Sequence, residues 1–106
     1  MHLIMTIEEK IKRRKKDNLF LENLVRLYQE IYPELRYIQS LWALGIIDKE
    51  NKVIDRFYEE PYDTIVRILP TIQTLLLVID SMDKKNTAIK FKVSNIYHYL
   101  NELNLL

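Results

Sequence analysis

The 106-residue chain has no cysteine, one glycine, three prolines and two histidines. Without cysteine there are no disulfides, no thiolate nucleophile and no cysteine-ligated zinc. A single glycine cannot furnish a glycine-rich phosphate loop, and no Ser-His-Asp arrangement can be assembled. His2 and His98 lack a companion histidine or cysteine, so no zinc site is expected. The longest unbroken apolar run, Leu75 to Ile79, is far below the roughly 20 residues of a membrane helix. The opening "MHLIMTIEEK" has no long apolar region behind a basic end, so no secretory signal is expected. These absences point away from an enzyme. They point to a soluble cytoplasmic protein that needs neither metal nor cofactor.

What is present suits one compact domain, residues 1–106. Hydrophobic residues make up 48% of the chain, enough for a core, and the length is too short for two domains. The formal net charge is +1 but polarised. Residues 1–27 carry seven basic and four acidic side chains, whereas residues 28–70 carry five basic and eight acidic. Bulk charge therefore does not mark a nucleic-acid binder.

Helical spacing dominates, and an all-α bundle of about five to six helices is expected. Thr6 and Glu9 form a capping box that opens a basic helix over about 7–16. Asp17 or Asn18 can cap a second helix carrying Leu21, Leu24, Val25, Tyr28 and Ile31, unless the two are one bent rod. Pro33 should stop that helix at Tyr32 and open a third, with Leu35, Ile38, Leu41 and Trp42 on one face. Gly45 fits the left-handed position after a helix end, setting Ile46 to fold back on Leu41. "PYDTIVRIL" reads as a fourth helix that Pro70 breaks or kinks. "TIQTLLLVIDSM", apolar nearly all round, reads as a buried central helix. A hairpin of "TLLLVID" with "AIKFKV" is the alternative there. Ser94 or Asn95 caps a closing helix.

The stretch "VIDRFYEEPYD", residues 53–63, sets three aromatics and a proline among acids. On a continuous helix, Asp55, Glu59 and Asp63 would form an acidic stripe able to hold a divalent cation. Pro61 argues for a helix start instead, with Glu59, Glu60 and Asp63 where the helix dipole favours negative charge. "YPELRYIQSLW" followed by "DRFYEEP" resembles an uncharacterised family of small bacterial and phage proteins. That family shows Pro-Asp/Glu-Leu-Arg-x-Gly-Gln and then Asp-Pro-Phe-Tyr. Pro33, Glu34, Leu35, Arg36 and Gln39 match the first motif, and Asp55, Phe57, Tyr58 and Glu60 the second. Ile38 replaces the family's glycine and Arg56 its proline. The resemblance implies a small helical fold, a phage or mobile-element setting and no known activity. Arg36 and Asp55, which recur together in these motifs, are expected to form an ion pair.

Residues 10–16 are basic at six of seven positions. Lys10, Lys12, Arg13, Arg14, Lys15 and Lys16, with Glu59, Glu60, Tyr62 and Asp63, are the candidate contact residues. The preferred function is non-catalytic binding of another macromolecule, most simply a protein; inhibition of a host defence complex such as a CRISPR effector is one instance. The other reading uses residues 86–103. There "TAIKFKVSNIYHYLNELNL" resembles a helix-turn-helix, with Ala88, Val93, Ser94, Ile96 and Leu100 on matching positions and Lys92 at the usual turn glycine. That resemblance implies Asn95, Tyr97, His98 and Asn101 in the major groove of DNA.

Overall fold

Thr6 holds the start of the first helix, its hydroxyl accepting from the Glu9 backbone N–H at 3.1 Å. The structure is a computed structural model that describes residues 5–47, 59–82 and 86–106. Among these, four helices and no strand are formed: α1 (Ile7–Ile31), α2 (Tyr37–Leu44), α3 (Pro61–Ser81) and α4 (Thr87–Glu102). The fold is compact and all-helical, with fewer helices than the five to six expected. Three expected boundaries are not helix ends. The proposed Arg36–Asp55 pair and the resembled Asp55, Phe57 and Tyr58 lie outside the described residues.

The first of these boundaries is at Asp17 and Asn18, which sit inside α1, so of the two alternatives left open there the single rod is formed. Asp17 is buried and bonded to the Tyr99 hydroxyl instead of capping a helix start. A side chain satisfied at long range has no reason to compete with the local backbone. The second is Pro70, which α3 passes through. Pro70 lies on the exposed face near exposed Val66, and its ring nitrogen has no hydrogen to donate to the Val66 carbonyl. The third is Ser94 and Asn95, which lie within α4. Asn86 caps that helix, its side chain accepting from Ala88 and Ile89 N–H at 3.0 and 3.3 Å.

The chain leaves α1 at Tyr32, before Pro33, as expected. Pro33 does not open α2, however. Residues 33–35 form a turn, and α2 begins after Arg36, whose N–H donates to Gln39 Oε1 at 2.8 Å. The buried face of α2 is Ser40, Leu41 and Leu44, so Ile38 is exposed instead of core. Its end follows the sequence closely. Gly45 has φ 81°, its N–H bonds Trp42, and Ile46 N–H bonds the Leu41 carbonyl at 2.9 Å. The end of α4 repeats the device with Asn104 at φ 58° and Leu105 N–H on the Leu100 carbonyl. At Gly45 an added Cβ would meet Ile68 Cγ2 at 3.5 Å, ordinary contact, so only the backbone resists. Gly45→Ala is expected to cost about 1–2 kcal/mol in denaturant unfolding, the strain of a left-handed L-residue. Asn104→Gly should not lower stability.

The central element is α1, against which the other three helices pack. It contributes Phe20, Leu24, Val25 and Leu27 to one core. The remaining core residues are Leu41, Leu44 and Ile46 at α2, Ile65 to Ile79 along α3, and Ile96 and Leu100 on α4. The expected all-round burial of "TIQTLLLVIDSM" is corrected: Ile72, Leu75, Leu76 and Ile79 are buried, but Leu77 is 71% exposed. The 21-residue α3 is long and apolar enough, by length and composition alone, to cross a membrane. Its buried stripe packs onto α1, the ordinary use of such a helix.

Candidate functional site

Two of the segments singled out in the sequence meet each other. Pro61 occupies the first position of α3, as its sequence demands. This places Glu60 beside the basic half of α1. Arg14 grips it with a two-pronged bond, Nε to Oε2 at 2.8 Å and Nη2 to Oε1 at 2.7 Å. The Arg14 guanidinium holds the Glu60 carboxyl below its ordinary pKa, and Glu60 raises that of Arg14. Arg13 lies over the Tyr62 ring, 4.5 Å from its centre, with Nε 3.7 Å from Asp17 Oδ2. Lys10, Arg13, Arg14, Glu60, Tyr62 and Asp63 thus line one hollow of about 490 Å³.

Glu59 belongs elsewhere. Its carboxylate accepts from Arg67 Nε at 3.0 Å, from Arg67 Nη2 at 2.8 Å and from the Thr64 hydroxyl at 2.6 Å. Arg67 also donates from Nη1 to the Gly45 carbonyl at 2.6 Å. This network ties the end of α2 to the start of α3. The Arg67 bond, aided by Thr64 and opposed by burial, holds the Glu59 pKa below its ordinary value. Among the described residues no group of three His, Cys, Asp or Glu side chains could hold a metal ion.

The remaining basic residues face outward. Lys12, Lys15 and Lys16 are exposed on α1 and make no ion pair among the described residues. Lys16 opens a groove of about 590 Å³ between α1 and α4. The helices are antiparallel there, since Asp17 meets Tyr99 while Glu30 meets Lys92. Leu19, 56% exposed, and Phe91, 68% exposed, stand in the groove above buried Phe20 and Ile96. Arg26, Asn23, Asn95 and His98 edge it. Sequence reasoning missed this face because its halves come from opposite ends of the chain. Leu19 and Phe91 lie 72 positions apart in the chain.

The four residues expected to read DNA are all exposed on α4. One uninterrupted helix, α4, runs across Lys92, so residues 87–102 do not form the two helices and turn of that motif. Asn95 and His98 border the α1–α4 groove, and His98 Nε2 lies 3.1 Å from Glu102 Oε1. Tyr97 instead lines a separate apolar hollow of about 450 Å³ with Ile31, Leu76 and Ile79. Asn101 is exposed and lines neither.

Also missed was the buried polar pair. Asp17 is 1% exposed, Tyr99 donates its hydroxyl to Asp17 Oδ1, and the Tyr99 ring stacks on Phe20 with centroids 5.1 Å apart. Burial first, and the bond to Asp17 second, push the Tyr99 hydroxyl well above its ordinary pKa.

No family model, no curated protein and no solved structure matches this chain.

Proposed function

We propose that the protein is a non-catalytic binding protein whose partner is another protein, docking on the α1–α4 face. One observation carries the reading. Leu19 and Phe91 stand exposed between helices and are flanked by Lys16 and Arg26 of α1. An apolar centre with a polar and charged rim is the anatomy of a protein-recognition patch. The other polar cluster is already closed on itself, because Arg14 and Glu60 satisfy each other. The resemblance of residues 33–61 adds the finer form of the proposal: a small phage or mobile-element protein that inhibits a host defence complex in the cytoplasm, a CRISPR effector being one such target.

The test captures partners from host lysate with the wild type and with a Leu19→Glu, Phe91→Glu double variant. One dominant protein should be retained by the wild type and lost by the variant, whose melting temperature stays close to wild type because both side chains are exposed. Duplex DNA binding is measured alongside, over a salt series. A sequence-selective, salt-resistant shift abolished by Asn95→Ala and His98→Ala would overturn the proposal. The basic run should divide in the same assay. Changing Lys12, Lys15 and Lys16 to Gln should weaken capture and its salt sensitivity without lowering the melting temperature. Changing Arg13 and Arg14 should lower the melting temperature, since they join α1 to the start of α3.

A further inference from the structure

Resting on the protein-binding reading, we infer that the α1–α4 groove takes an acidic amphipathic helix of about three turns whose carboxylates run along one edge. The groove's shape sets the length. It follows the antiparallel pair from Lys16 to Arg26 on α1, about 15 Å at the rise of an α-helix. That distance corresponds to about three turns of an occupant lying along it. Leu19 and Phe91 provide the apolar contacts that a helix engages through residues three and four apart.

The charge pattern sets the edge. On the α1 wall, Lys16 and Arg26 are exposed and make no ion pair among the described residues. On the α4 side Lys92 is paired with Glu30, and the His98 ring lies beside the Glu102 carboxylate. Asn95 is left there as a neutral hydrogen-bonding group. The groove therefore has unpaired cations along one wall and no unpaired lysine or arginine along the other. An occupant matching it carries Asp and Glu beside α1 and uncharged polar residues beside α4.

The same pattern disfavours the other occupants. A nucleic-acid strand would bring phosphates close to the Glu30 and Glu102 carboxylates and would find Phe91 as the single exposed aromatic of the groove. A second copy would need a free acidic edge of its own. The acidic segment before α3 is not free, since Glu59 is held by Arg67 and Glu60 by Arg14.

The test is fluorescence anisotropy with a labelled synthetic helix of ~14 residues, about four turns. Its apolar residues recur every three or four positions, with glutamates along one edge. It should bind the wild type, and a scrambled peptide of the same composition should bind at least about tenfold more weakly. A Glu→Gln peptide should lose about tenfold at low salt and little at high salt. Leu19→Glu or Phe91→Glu should each cost about tenfold or more, with an unchanged helical circular dichroism spectrum and melting curve. Equal binding of the scrambled peptide, indifference to both substitutions or no binding at all overturns the inference. So does displacement of the peptide by a single-stranded oligonucleotide of equal affinity, or a dimer in sedimentation that both substitutions abolish. If lysate capture remains sensitive to Leu19 and Phe91 while the acidic peptide fails, this occupant is wrong and the protein-binding function stands. If capture fails as well, both fall.

Discussion

Replacing Tyr99 by Phe is expected to lower the unfolding free energy by about 2–3 kcal/mol, although it removes a single oxygen. The reason is what stays behind. Asp17 is 1% exposed, and Tyr99 is its hydroxyl donor, with Arg13 further off at 3.7 Å. Deleting the hydroxyl leaves a buried carboxylate short of a partner, which costs more than the bond itself contributes. The ring remains and still stacks on Phe20, so packing is nearly conserved. Replacing both partners, Asp17→Leu with Tyr99→Phe, should recover much of the loss, because no buried polar group is then orphaned. Denaturant unfolding of the three variants closes the cycle. A Tyr99→Phe variant as stable as wild type would show that water or Arg13 already satisfies Asp17.

The same pair shapes the alkaline limb of stability. Tyr99 has its folded-state pKa raised above the ordinary value of 10.0, by burial and by the bond to Asp17. A raised group contributes stability that is complete below its unfolded pKa and is lost as pH rises toward the folded value. Wild-type stability should therefore decline above about pH 10, and Tyr99→Phe should lose less over that window.

How far the sequence could be read depended on the range of the interaction. The endings built from neighbours were legible: Thr6 under Glu9, Tyr32 before Pro33, Gly45 with Ile46, and Pro61 at the head of α3. Each is a backbone demand that a residue type answers within a few positions. The misplaced boundaries were those where a distant contact outweighed a local preference. Asp17 reads as a cap until Tyr99, 82 positions away, is brought to it. Pro70 reads as a break until the helix is known to turn it toward solvent. Ser94 and Asn95 read as caps only because Asn86 lies a full two turns earlier. The candidate site divides in the same way. Both the basic run and the acids before α3 were visible as unusual segments. Their meeting through Arg14 and Glu60, and the outward division of Lys12, Lys15 and Lys16 from Arg13 and Arg14, depend on the crossing of α1 and α3. Binary patterning does not encode that angle.

Arg67→Ala is expected to cost about 2 kcal/mol near neutral pH, more than an isolated surface ion pair. Arg67 is about half exposed, so its charge alone would count for little. Its geometry raises the cost. One guanidinium holds both oxygens of Glu59 and the Gly45 carbonyl, whose residue sits in the left-handed turn after α2. Removing it leaves Glu59, whose side chain is 25% exposed, with the Thr64 hydroxyl as its remaining partner. The pH dependence separates this from simple loss of packing. Arg67 lowers the folded pKa of Glu59 below the ordinary 4.5. Stability from a lowered carboxylate is present above the unfolded pKa and disappears as pH falls through the folded one. The gap between wild type and Arg67→Ala should therefore be widest near neutrality and narrow below about pH 4.5, whereas a packing defect keeps a constant gap. Arg67→Lys should recover only part, because an ammonium cannot span both Glu59 oxygens and the Gly45 carbonyl in the planar fork. A pH-independent loss, or full recovery by lysine, would mean that the stem of Arg67, and not its fork, holds the end of α2 against the start of α3.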